Sequence, residues 1–210
     1  MNRLLQQRVL WGDLSPFAYL SGGALLIMAS DRLAHAITVL FALVWVYCLS
    51  SLAAFGGARL FPLRGRSVLF AFLASFVAGL FLMLFSLLFP LAAFQMFFVL
   101  AFVPMLCAGS GLWRRLENKS LVQVLRLSLA EALVAGVLIV IIALIREPLG
   151  FRSLSLPGGP QGIMLLHPFG EESPLFLRLL SGSFGALLLL GYLLGMYRHI
   201  GAKQIAEGDD

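Results

Sequence analysis

Glu131 is the residue whose type and setting most invite chemistry, because Ala130-Glu131-Ala132 sits inside a long apolar run shortly after Arg126. A carboxylate in a membrane-spanning run is costly and often marks an ion or proton path, whereas one near the boundary stays hydrated or pairs with a basic neighbour. Arg126 is not a natural same-helix partner, since that spacing turns the helix through roughly 140°. The two cysteines, Cys48 and Cys107, both lie in apolar runs. Cys48 reads as a small packing residue. Cys107 follows Pro104 and opens the stretch Cys107-Ala108-Gly109-Ser110-Gly111, whose loosened backbone suits a cavity wall. One thiol does not make an iron–sulfur or zinc site, each of which takes about four ligands. His35, His167 and His199 have no spaced ligand partner, and the chain has no phosphate-cradling glycine motif, nucleophile elbow or helix-borne zinc pair.

The elements that must position these residues are membrane helices. Of 210 residues, 60% are apolar and 12% charged, a balance that excludes a soluble domain. A net charge of +5 in such a chain lies between the spans, where it orients the protein. Nucleic acid is therefore no expected partner; the lipid bilayer is. A spanning helix needs about 20 apolar residues, and six runs qualify: Ser15 to Ala29, Leu33 to Phe55, Val68 to Phe89, Pro90 to about Leu112, Leu121 to Ile145 and Leu175 to Tyr197. The expected organisation is an interfacial segment at residues 1–14, a six-helix membrane domain over 15–198 and a tail at 199–210. Asp13-Leu14-Ser15-Pro16 interrupts what would otherwise resemble a signal-peptide core, so the segment is read as retained.

With alternating helices, eleven Lys and Arg fall on the side of the termini and four on the other. Both termini are thus expected in the cytoplasm. Each half opens with an interrupted segment, Ser15-Pro16 with Gly22-Gly23 in the first helix and Pro104 with Gly109 and Gly111 in the fourth. The expected fold class is an all-α membrane protein whose six transmembrane helices form two inverted three-helix repeats with broken first and fourth helices. The loop from Glu147 to Glu172, with Pro157-Gly158-Gly159-Pro160, is expected on the outer face.

The segment Arg146-Glu147-Pro148-Leu149-Gly150, followed by Ser153-Leu154, resembles the Arg-Glu-x-x-Gly-x-Gly-Thr-Leu signature of the Rnf/Nqr integral membrane subunits. Further matches come in order. Phe102-Val103-Pro104-Met105-Leu106 is similar to the family's Ile-Pro-Leu segment, Arg115-Leu116-Glu117 to its Arg-Ala-Glu, Glu172-Ser173-Pro174-Leu175 to its Asp-Ser-Pro-Phe, and Gly182-Ser183-Phe184 to its Gly-Ala-Phe. In the first half, Leu14-Ser15-Pro16 stands where the family has Leu-Cys-Pro.

The resemblance implies a subunit of an ion-translocating electron-transport complex in a bacterial inner membrane, packed against a paralogous six-helix membrane subunit and joined by other Rnf/Nqr-type subunits. It also implies a [2Fe–2S] cluster shared between the two paralogues, each giving two cysteines. In this chain those positions are Ser15 and Ser110, with Cys107 one turn before the second. A serine hydroxyl keeps its proton where a thiol becomes a thiolate, so the resemblance implies that this chain's own ligation has been lost. Arg152 replaces a signature glycine, and Gln123 stands where the family tends to have Asp. The charge bias favours an RnfE/NqrD-like over an RnfA/NqrE-like orientation. The alternative is a redox-inactive protein of the same fold acting as a transporter or assembly scaffold, with Glu131 on a polar path.

Overall fold

The computed structural model describes residues 23, 25–57, 66–110, 112, 119–158, 163–166, 180–192 and 195. Four long helices dominate: α1 (Leu33–Gly57), α2 (Arg66–Leu88), α3 (Pro90–Gly109) and α4 (Leu121–Phe151). A helical stretch at 25–29 precedes α1, and a shorter apolar helix, α5, covers Ser183–Tyr192. All four long helices are long and apolar enough to cross a membrane. They are apolar nearly all round, which in water would leave no polar face to solvate. Their outer surfaces carry large exposed side chains such as Phe72, Phe76, Phe94 and Phe98. That is a surface suited to lipid.

The boundaries of α1, α2 and α3 fall within a few residues of the expected spans. Only Phe89 separates α2 from α3. Pro90 needs no hydrogen-bond acceptor at the first helical position, and the amides of Phe89 and Ala93 bridge the corner through the Phe85 and Phe89 carbonyls at 2.8 and 2.9 Å. At the start of α4 the Ser120 hydroxyl accepts from the Gln123 amide at 3.4 Å, while the Gln123 side chain accepts from the Ser120 amide at 3.3 Å. This reciprocal cap uses a polar side chain at the third helical position, which gives Gln123 a local role.

Three expectations need correction. Pro104 does not break the fourth helix, since α3 runs through it to Gly109. The fourth span is interrupted later, at the turn on Ser110 before helical Leu112, and the sixth span has its own bend on Gly182 between residues 180–181 and α5. Second, α4 does not stop at Ile145; it continues through Arg146, Glu147 and Pro148 to Phe151, because partners distant in sequence satisfy both charges. Third, the expected outer loop carries a β-hairpin, so the chain is not wholly α. Strands β1 (Leu154–Pro157) and β2 (Ile163–Leu166) pair antiparallel, with Leu154 opposite Leu166 and Pro157 opposite Ile163.

α1 and α4 pack most extensively. The buried face of α4 is built from small residues, Ser128, Ala132, Gly136, Ala143 and Gly150, that admit a close neighbour. At Gly136 an added Cβ would lie 3.2 Å from both Cβ and Cγ of Leu40 on α1 and closer still to its Cδ1. Gly136→Leu is expected to cost about 1–3 kcal/mol by overpacking, read as a lower unfolding midpoint in detergent. These contacts run α4 antiparallel to α1, with Leu40 opposite Gly136 and Leu33 opposite Glu147.

Candidate functional site

The signature residues form one buried junction at the start of α1. Arg146 is 3% exposed and Glu147 fully buried, yet they are consecutive residues on the last turns of α4. Their side chains serve opposite helix poles. The Arg146 guanidinium donates from Nη1 to the Ile27 carbonyl at 3.1 Å and the Ser30 hydroxyl at 3.0 Å. From Nε it donates to the Leu180 carbonyl at 3.0 Å, and from Nη2 to the Ser181 carbonyl at 2.7 Å. Nη2 also lies 3.7 Å from the half-exposed Asp31 carboxylate. The planar fork therefore satisfies carbonyls where two helical stretches end, at residues 25–29 and at 180–181. Carbonyl ends carry the negative pole of a helix, which a cation complements.

Glu147 does the reverse. Its Oε2 accepts from the Leu33 amide at 2.7 Å and from the Ser155 hydroxyl at 3.0 Å. Ser155 in turn accepts from the Ala34 amide at 3.1 Å. The first two amides of α1, which have no acceptor within their own helix, are thus capped from α4 and β1. A carboxylate at a helix N-terminus meets the positive pole. The other oxygen, Oε1, is buried and makes no hydrogen bond to any described residue.

Gly150 completes the junction. A Cβ there would approach the Ser181 amide nitrogen to 2.8 Å and its Cα to 2.9 Å. The obstacle is backbone that Arg146 already holds, so it cannot step aside. Gly150→Ala is accordingly expected to destabilise the protein by roughly 1–3 kcal/mol, although alanine is the better helix former. Arg152 occupies the C-cap of α4 at φ 52, in the left-handed region, with its amide donating to the Pro148 carbonyl at 3.2 Å. Only glycine adopts that conformation freely, which accounts for a glycine at this place in the similar signature. Arg152→Gly is expected to leave the fold intact and gain up to about 1 kcal/mol, seen as a raised unfolding midpoint.

The other candidate residues lie elsewhere. Ser15 is outside the described residues. Ser110 caps α3, its hydroxyl donating to the Cys107 carbonyl at 2.7 Å and accepting from the Leu112 amide at 3.3 Å. Cys107 is fully buried. Glu131 and Cys48 are both near enough to act electrostatically on its thiol, so three separately chosen residues share one neighbourhood. Because the first turns of α1 and α3 meet at the α2 end, Cys107 lies at the far end of the bundle from the junction. Among the described residues no three metal-ligating side chains converge. The Ser110 hydroxyl is already engaged at the end of its own helix, and a lone buried thiol beside it supplies one sulfur donor. These residues do not fit the [2Fe–2S] group that the resemblance implies.

Sequence reasoning did not single out Ser155, Ser30 or Asp31 as junction residues. Leu-Ser-Leu-Pro before a glycine-rich turn is the signal that marks Ser155 as a strand residue. Comparison with known proteins adds no assignment: no protein-family model matches the chain, and no curated protein matches it.

Proposed function

We propose that the chain is a non-autonomous membrane subunit of an Rnf/Nqr-type ion-translocating electron-transport complex. In this reading it packs as an inverted three-plus-three repeat against a paralogous six-helix subunit in the cytoplasmic membrane of a bacterium, with both termini inside. Its contribution is the helical wall around the electron path, without ligation of the cluster by its own Ser15 and Ser110. The observation that carries this is the junction: Arg146, Glu147 and Gly150 of the signature-like segment are the very residues that tie two helix ends and the start of a third together. A segment with so specific a structural job is a reason for the motif to recur wherever the fold does. The ordered matches elsewhere in the chain support the same assignment.

A second reading, that of a redox-inactive transporter or scaffold, draws on Glu131. It is half-buried within α4 and close enough to Cys107 to interact electrostatically, a placement typical of groups on ion paths. Purification from native membranes in mild detergent under anaerobic conditions, followed by mass spectrometry and iron analysis, separates the two. The first reading expects a second six-helix membrane protein and flavin-carrying subunits to co-purify. A homogeneous chain with ion flux abolished by Glu131→Gln would instead establish the second. Iron bound by the isolated chain would contradict the loss of ligation.

A further inference from the structure

A cavity of about 70 Å³ lies between the first turns of α1, the α2–α3 corner and the hairpin. Its polar side chains are His35 and Thr38, and its walls include Phe89, Met96 and Ile163, with Ala92 among the small residues. The His35 Nε2 atom is buried and makes no hydrogen bond to any described residue. The Thr38 hydroxyl gives its proton to the Ala34 carbonyl at 2.9 Å, so it offers only acceptor capacity.

A buried ring nitrogen without a partner among the described residues calls for one. Water is a poor filling, because each molecule wants about three polar neighbours and the wall is mainly hydrocarbon. A free aromatic ring is too large, since a cavity of about 150 Å³ is what holds benzene. The occupant is therefore part of a longer molecule, with one or two oxygens for the imidazole and methylenes for the wall. The cavity is partly open, and Phe89 is itself 39% exposed on the lipid-facing surface. The cavity lies at the ends of helices long enough to span a bilayer, and the ester region of a lipid would fall at such ends. Among the described residues no cationic side chain lines it to hold a phosphate.

We propose that this cavity is a specific glycerophospholipid site, in which His35 hydrogen-bonds an ester oxygen while the acyl chain passes Met96 and leaves beside Phe89. The full-length chain, reconstituted in phosphatidylcholine vesicles doped with a phosphatidylcholine carrying a photoactivatable acyl chain, supplies the test. Met96 is 2% exposed, whereas Phe94 is 86% exposed, so bulk lipid reaches Phe94 and only an occupant of the cavity reaches Met96. Adducts on Met96 are expected at least as abundant as on Phe94. They should fall several-fold in Ala92→Phe, which fills the space, and in His35→Leu, which removes the hydrogen bond, with Phe94 labelling unchanged in both as the control for folding. Absent Met96 adducts in the unsubstituted protein would overturn the proposal. So would labelling indifferent to His35→Leu, labelling by a photoactivatable free fatty acid alone, or oxidation of Met96 by hydroxyl radicals without any lipid adduct.

Discussion

Arg146→Ala is expected to lower the stability of the folded chain by about 3–5 kcal/mol, the usual cost of breaking a buried charged network. For a chain of this length that is a fall in unfolding midpoint of roughly 10 °C. The substitution strips partners from the Ile27, Leu180 and Ser181 carbonyls and the Ser30 hydroxyl at once. Each is a buried or half-buried acceptor that water does not readily replace. Arg146→Lys is expected to recover little of the loss, because an ammonium is a point donor and cannot span acceptors on two chain segments. Thiol reactivity on heating gives the readout: Cys107 is fully buried and reports unfolding when it becomes accessible. An Arg146→Lys midpoint equal to that of the unsubstituted protein would show that charge alone suffices.

The second large effect is at Glu147. Glu147→Ala removes the acceptor for the Leu33 amide and for Ser155, and leaves the Ala34 amide on a hydroxyl with no anchor. The expected loss is about 3 kcal/mol, since hydrogen bonds to a charged group are worth roughly 1.5–3 kcal/mol each. Glu147→Gln keeps an oxygen of the same reach but gives up the charge that complements the start of α1, and is expected to cost about 1–2 kcal/mol. Hydrogen exchange separates these cases from general destabilisation. In Glu147→Ala the first-turn amides of α1 should lose protection selectively, while those of α2 and α3 keep theirs. Uniform loss across the helices would place the effect elsewhere than at the cap.

How far the sequence discloses this arrangement depends on what each feature leaves in residue type. The spans of α1, α2 and α3 are legible because lipid demands uninterrupted apolar runs, and Pro90 is an overt punctuation mark between two of them. The last turns of α4 are not legible. Arg146, Glu147 and Pro148 read as a boundary, since charges and proline ordinarily end a span, and nothing local shows that most of their partners lie 34 or more residues away. Most of those partners are backbone carbonyls and amides, which every residue possesses. Alternating Leu-Ser-Leu before Pro157-Gly158 is a hairpin signal, but Pro157-Gly158-Gly159-Pro160 between two spans reads first as an irregular outer loop. Pro104 misled in the opposite direction. Proline inside an apolar helix suggests a break, yet neighbouring helices can carry it through, while Gly182, read only as part of Gly182-Ser183-Phe184, marks the bend.

α4 has 31 residues, about 46 Å of helix at 1.5 Å per residue, against a hydrocarbon core near 30 Å. With α4 centred on that core, Arg146 and Glu147 on its final turns would fall at its edge, where polar and charged side chains cost least.

The central claim is that Arg146 physically joins the turn before α1 to the bend before α5. Pulsed electron resonance distances between spin labels at Met28→Cys and Phe184→Cys, both exposed sites, test it most directly in lipid nanodiscs with Cys48 and Cys107 replaced by alanine. One narrow distance distribution is expected with Arg146 present and a broad or shifted one in Arg146→Ala. An unchanged narrow distribution in the variant would contradict it.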